Sequence, residues 1–398
     1  MSLNRRQLIQ GFAASIAPMT SAGRVWAAPQ TNARLLIVFL RGGYDAANVV
    51  IPVSSDFYYE ARPRLAIARP DPLVATSALP LDQNWGLHPA LRETIFPLFQ
   101  QGQVAFVPFA GIHDLTRSHF ETQDAIELGL QTSQTRDYLS GFMARLASVL
   151  TRARPISFTD QVPLAFHGGD AIPNFAINNL SKPGIDSRQE KLIATMYSDS
   201  RLSQQVQEGF RVRNEIYQTV VEQETQPGRT VAVPKHFELS ADRIGRLMRD
   251  RFNLGFVDVG GWDTHANQGA ADGYLADRIR ELGRGLKRFA EQIGPQWDNT
   301  VIVVLSEFGR TFRENGSRGT DHGHGSVYWV LGGGVRGGRI MGEQIDVDQR
   351  HLFENRDYPV LTDYRSLLGG LFQRMFGLNK KDVEHVFAAA QPIDVGLI

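Results

Sequence analysis

Cysteine is absent from the 398 residues, which excludes disulfides, thiolate metal ligands and a thiol nucleophile. Cellular compartment therefore has to be read from another part of the chain. Neither charge is in excess: 42 basic residues stand against 42 acidic ones, so no basic stripe suits a nucleic-acid backbone and no acidic tail is present. No apolar run reaches the length of a membrane span. Repeats and polar low-complexity tracts are also missing, and 42% apolar content is enough to bury a large core. One large domain with insertions is the expected organisation.

What is there begins with the first 28 residues. A basic start, Asn4-Arg5-Arg6-Gln7-Leu8-Ile9, leads into a weakly apolar stretch interrupted by Pro18, and Val25-Trp26-Ala27-Ala28 precedes Pro29. That is the order of n-region, h-region and cleavage site, against the alternative of an amphipathic first helix. Adjacent arginines followed by apolar residues are similar to the twin-arginine signature. The expectation is a removable signal over residues 1–28, passage through the Tat translocase, and a periplasmic or otherwise exported product without a membrane span. That route carries folded proteins, so it suits a chain that acquires a metal or cofactor first. Loss of Arg5, Arg6 and Arg24, with no acid removed, leaves the mature chain, residues 29–398, with a small acidic excess.

Short β-branched or aromatic runs, each followed by glycine and polar residues, occur at 35–40, 104–109, 254–259, 301–305 and 327–331. They predict buried parallel strands. Between them, Leu275, Ile279, Leu282, Leu286, Phe289 and Ile293 form a stripe at helical spacing that stops at Gly294-Pro295. Strand, glycine turn, helix and strand in succession is the grammar of an α/β fold, a doubly wound, mostly parallel sheet with helices on both faces. From about 151 to 230 the strand signal fades into Gln-, Arg- and Glu-rich sequence, which reads as a helical insertion.

Ligands of such sheets bind beyond the carboxyl ends of the strands. The residues there are Arg41-Gly42-Gly43-Tyr44-Asp45, Thr116-Arg117-Ser118-His119, Gly260-Gly261-Trp262-Asp263-Thr264-His265 and Ser306-Glu307-Phe308-Gly309-Arg310, with Asp321-His322-Gly323-His324 before the last strand. Carboxylates and imidazoles gathered at strand ends are what a divalent-metal site needs. Asp263 and His265, two apart in extended chain, point the same way and can share one ion. Each residue also has an ordinary reading. Asp45 can cap a helix, Ser118 with Glu121 forms a capping-box pattern, Glu307 can pair with Arg310, and the Asp321–His324 segment can be a hydrogen-bonded turn, with His322 the preferred ligand over His324. The Gly332-Gly333-Gly334 run lacks the spacing of a dinucleotide fingerprint.

These motifs together resemble an uncharacterised family of twin-arginine-exported bacterial proteins grouped with the alkaline phosphatase and sulfatase superfamily, over almost the whole mature chain. The resemblance implies an alkaline-phosphatase-like fold and a divalent metal (Zn, Mn, Mg or Ca) held by Asp45, Asp263, His265, Glu307 and His322. It places Ser118 as nucleophile, with Thr116 in reserve. Arg41 or Arg310 would clamp the oxyanion of a small-molecule or glycan phosphate or sulfate ester. Phe308 stands where the superfamily has a ligand histidine, which puts a two-zinc site in question. His119 or His324 could replace it, or one hard cation could lie among Asp45, Asp263 and Glu307. The rival expectation is an exported, non-catalytic scaffold or binding protein with a degenerate metal site.

Overall fold

The strand Arg34–Leu40 (β1) consists of seven residues, RLLIVFL, all buried. Its alternate side chains enter two separate cores: Leu36, Val38 and Leu40 one, Leu35, Ile37 and Phe39 the other. A strand covered on both faces needs apolar residues at every position, which is why the sequence shows a continuous run there. The computed structural model describes residues 32–169, 172–176, 187–200, 203–204, 206–207, 209–211 and 236–398. The expected signal over residues 1–28 lies outside them, as do parts of the expected insertion.

The other strands are Val50–Ile51 (β2), Leu79–Pro80 (β3), Gly86–Leu87 (β4), Val104–Gly111 (β5), Pro155–Phe158 (β6), Leu254–Val259 (β7), Thr300–Ser306 (β8), Ser326–Leu331 (β9), Arg339–Ile340 (β10) and Thr362–Asp363 (β11). β2, β3 and β4 form a small antiparallel sheet, and the rest form one eight-stranded sheet in the order β10-β5-β9-β8-β1-β7-β6, with β11 also beside β5. β1 runs parallel to β7 and β8, and β6 parallel to β7. The fold is therefore α/β with a mostly parallel central sheet.

Two expectations need correction. The run at 327–331 is not parallel: β9 lies antiparallel between β5 and β8. An antiparallel strand can be buried on both faces as fully as a parallel one, so composition does not report direction. Within the span read as a helical insertion, residues 155–158 form the edge strand β6, and Ser187–Met196 is helical.

Helices cover both faces. His119–Leu128 (α1), Phe142–Val149 (α2) and Tyr364–Phe376 (α5) contribute Ile126, Met143 and Leu368 to one core. His236–Asp250 (α3) and Tyr274–Ile293 (α4) contribute Ile244, Ile279 and Leu286 to the other. The stripe read at 275–293 is the buried face of α4, and Gly294 ends it. No helix among the described residues is long and apolar enough to cross a membrane.

The direction of β9 matters to the site. Because it runs against β1, β7 and β8, its first residues lie at the rim where those strands end. The loop before it, carrying Asp321, His322 and His324, is delivered to the same rim.

Candidate metal centre

Three segments meet at that rim. His119 arrives on the first turn of α1, Asp263 and His265 follow β7, and His322 precedes β9. The Nε2 atom of His119 is 2.9 Å from Nε2 of His322, which is 3.1 Å from Nε2 of His265. The Asp263 carboxylate joins all three, at 2.9 Å from His265 Nε2, 3.2 Å from His322 Nε2 and 3.6 Å from His119 Nε2.

Each imidazole is held from behind by an oxygen on Nδ1. Glu307 Oε1 is 2.8 Å from His119 Nδ1, the carbonyl of Arg117 is 3.0 Å from His322 Nδ1, and Asp321 Oδ1 is 3.2 Å from His265 Nδ1. A carboxylate or carbonyl oxygen only accepts, so each neutral ring keeps its proton on Nδ1 and turns the lone pair of Nε2 inward. Three lone pairs and a carboxylate facing one another repel unless a cation lies between them. With metal–nitrogen bonds of about 2.05 Å, tetrahedral ligands stand about 3.3 Å apart, and the observed separations of 2.9–3.6 Å bracket that spacing. The residues fit a bound divalent ion, and one ligand atom from each of His119, Asp263 and His322 lies within 4.8 Å of the other two.

Tight backbone shapes this rim. Gly42 has φ +127°, and a Cβ on it would stand 2.5 Å from the Asp263 nitrogen, so the ends of β1 and β7 approach closely only because the residue is glycine. Arg117 is held at φ +50°, a conformation that costs a non-glycine residue energy. Its carbonyl is the one bonded to His322.

The charges around the cluster follow from these contacts. The hydrogen bond that His119 donates to Glu307 raises the His119 pKa above its ordinary value against the effect of burial. Burial lowers that of His322, offset in part by the Arg117 carbonyl. For Asp263 burial opposes ionisation, but the bond and charge of Arg310 outweigh it and hold the carboxyl below the usual range. The Glu307 pKa is likewise depressed: burial is overcome by the donors His119, Gln123 and backbone N–H groups.

Of the residues expected at the site, the structure gathers Asp263, His265 and His322. Glu307 stands one shell back. It is fully buried and receives Gly42 N–H at 2.8 Å, Gln123 Nε2 at 2.7 Å and Ser306 Oγ at 2.8 Å besides His119, so its lone pairs serve the protein and not an ion. Asp45 is not brought in. It sits at the N-cap position of a short 3-10 turn without capping it, because Arg62 grips both oxygens at 2.6 and 2.9 Å and Gln268 donates to one at 2.6 Å. Asp45 and Glu307 therefore do not form a hard-cation site with Asp263.

Both expected arginines are engaged in ion pairs. Arg41 pairs with Asp258 at 2.7 Å and Glu127 at 2.8 Å. Arg310, its side chain fully buried, donates to Asp263 at 2.7 Å and to the Thr320 carbonyl at 2.7 Å, so it pairs with Asp263 and not with Glu307. Ser118 is the N-cap residue of α1, yet its hydroxyl makes no capping bond, so the capping box with Glu121 does not form. It lies between Arg117 and His119, both of which touch the cluster.

His119 is the member of the cluster that the motif reading held only in reserve. Phe308 is buried, its ring 5.0 Å from the rings of both His119 and His322, and it forms an apolar wall beside imidazoles already in place. His324 is not in the cluster. Its Nδ1 is 3.0 Å from the Asp114 carbonyl, its ring packs on Phe353, and burial lowers its pKa to about 4. The signal for His119 in the sequence was position: it opens the helix that follows a strand end.

Among solved structures, the chain is similar to a protein in the alkaline phosphatase superfamily from Vibrio parahaemolyticus, at 12% identity and TM-score 0.36, over 77% of this chain and 61% of that one. It is also similar to the soluble domain of lipooligosaccharide phosphoethanolamine transferase A from Neisseria meningitidis, at 9% identity and TM-score 0.35, over 78% and 80% of the two chains. A third likeness is to the lipoteichoic acid synthase LtaP from Listeria monocytogenes, at 9% identity and TM-score 0.35, over 92% and 75%. The chain spans about three fifths of the first of these, and at such TM-scores none carries an argument about activity. No curated protein matches the sequence significantly. The family model described as "Protein of unknown function (DUF1501)" matches residues 32–387, and the protein belongs to that family.

Proposed function

We propose that this protein is an exported, metal-dependent hydrolase of phosphate or sulfate esters, with one divalent ion held by His119, Asp263, His265 and His322. The observation that carries the reading is the inward convergence of three Nε2 lone pairs on the Asp263 carboxylate, each ring locked by an acceptor on Nδ1. A nitrogen-rich set suits a borderline ion such as Zn²⁺ better than Ca²⁺ or Mg²⁺. When bound, the ion would supply Lewis acidity towards an ester oxygen and lower the pKa of a hydroxyl nucleophile.

The chain's own residues supply the rest. Ser118, at the amino end of a ten-residue helix with its hydroxyl uncommitted to a cap, is the proposed nucleophile. The free N–H groups and positive dipole of the first helical turn favour negative charge on its oxygen or on a bound ester. Arg310 positions Asp263 from behind. The substrate class proposed is a small-molecule or glycan ester.

Metal analysis and ester turnover test this. One equivalent of divalent ion in purified mature protein, with hydrolysis lost in Ser118→Ala but metal retained, is the expected result; absence of stoichiometric metal overturns it. The engagement of Arg41 and Arg310 in internal pairs favours a second reading, a metal-containing binding protein without turnover. Stoichiometric metal with no hydrolysis across phosphate and sulfate mono- and diesters would select it. Export is proposed from the Arg5-Arg6 signal: replacing both by lysine is expected to leave precursor in the cytoplasm, and undiminished export refutes that assignment.

A further inference from the structure

Gln123 lies one helical turn after His119 on α1, so the two side chains share a face. A glutamine amide can be placed either way round, but here its partners decide. Arg41 Nη1, which can only donate, is 2.8 Å from Oε1, and the amide nitrogen is left to donate to Glu307 Oε1 at 2.7 Å. The reverse orientation would set an NH₂ against a guanidinium and a carbonyl against a carboxylate. Arg41 is itself fixed by Asp258 and by the buried Glu127, which accepts the Ala165 N–H at 3.2 Å. An anchored chain thus runs from Glu127 and Asp258 through Arg41 and Gln123 to Glu307, and from there to His119 Nδ1.

We infer that Gln123 is a positioning residue of the metal centre: it clamps the Glu307 carboxylate in the rotamer that aims His119 Nε2 into the cluster. The inference rests on the metal reading above. Glu307 Oε1 meets three donors, Gly42 N–H, Gln123 and His119. Gly42 follows the end of β1, and Ser306 at the end of β8 donates to the other oxygen, so apart from His119 itself Gln123 is the donor that ties the carboxylate to the helix carrying His119. Without it the carboxylate keeps its donors from Gly42 and Ser306 but loses its tie to α1, and the support of the imidazole is loosened. Groups that orient a ligand histidine typically change metal affinity by about 10–100-fold.

The test titrates Co²⁺ into metal-free mature protein and follows the visible ligand-field spectrum. The parent chain is expected to take up one equivalent. Gln123→Met, close in length but without the amide, is expected to bind about 10–100-fold more weakly with an altered spectrum, and to cause no further loss in a Glu307→Gln background. Parental affinity in Gln123→Met, or an equal loss in both backgrounds, overturns the inference while leaving the metal reading intact. Failure of the parent chain to bind Co²⁺ overturns both. Should Gln123→Met not fold, Gln123→Glu keeps the acceptor towards Arg41 and sets a second carboxylate against Glu307. The same weakening is expected there, and parental affinity in that variant overturns the inference too.

Discussion

Two neighbouring strands end in nearly the same words: Gly42-Gly43-Tyr44-Asp45 after β1 and Gly260-Gly261-Trp262-Asp263 after β7. Their aromatic rings even meet edge to face, 6.0 Å apart. The two aspartates have different fates. Asp45 is 1% exposed and paired with an equally buried Arg62, whereas the Asp263 side chain is 45% exposed and surrounded by imidazoles. A carboxylate out of water needs a full complement of donors, and Arg62 with Gln268 supplies them, which leaves Asp45 nothing to give an ion. Asp263 has one buried arginine behind it and keeps its remaining valence towards the rim. Nearly the same tetrapeptide thus becomes a structural pin in one place and a partner of the imidazole cluster in the other, according to what distant segments bring to it.

Breaking each half should give opposite results. The largest effect is expected for Arg62→Met, which strands the buried Asp45 charge. A stability loss of about 3–5 kcal/mol should appear as a lower denaturant midpoint, and a loss below about 1 kcal/mol would show that Asp45 is not the pin described. Asp263→Asn should do the reverse, since asparagine can still accept from Arg310. Metal affinity should fall by about 100-fold or more, at the upper end of what ligand and support changes produce, while the midpoint measured without metal moves little.

The buried half should also be the acid-sensitive one for stability. His88 is fully buried, its Nε2 bonded to the Ala270 carbonyl and its Nδ1 accepting from Ala90 N–H, and burial lowers its pKa to about 4. The unfolded chain binds a proton near pH 6.5 that the folded chain refuses until about pH 4. This contribution to stability is therefore complete above 6.5 and is lost as pH falls through that window, at no more than about 1.4 kcal/mol per unit. Midpoints measured from pH 7 to 4 should show a shallower decline in His88→Gln than in the parent. The smallest effect is expected for Phe308→His: because His119 already supplies the nitrogen beside that ring, Co²⁺ affinity should not rise. A tenfold gain would mean that the position is a vacated ligand place after all.

Much of the fold was legible because burial on both faces writes itself into composition. The apolar runs of β1, β5, β7, β8 and β9 and the stripe on α4 all correspond to observed elements. Direction was not legible, since β9, antiparallel to both its neighbours, is as apolar as the parallel strands of the sheet. Nor was β6, four residues at a sheet edge inside polar sequence, where the signal is short and the flanks resemble an insertion. At the site, Asp263 and His265 were readable from spacing alone because two-residue separation in extended chain fixes direction. His119 was not: a histidine opening a helix looks like any first-turn residue until a second and third imidazole are placed opposite it.

The sequence by itself determined that this chain forms a doubly covered α/β sheet and that its polar residues cluster at strand ends, because local periodicity and burial demand both. It also determined where close backbone approach is needed, through glycine at 42. Only the tertiary structure decided which carboxylate stays available and which ring nitrogens face inward. Those outcomes depend on Arg62, Arg310, Glu307 and the Arg117 carbonyl arriving from parts of the chain far from the residues they hold. A hydrogen-bond partner hundreds of residues away leaves no mark on the local sequence of the group that it commits.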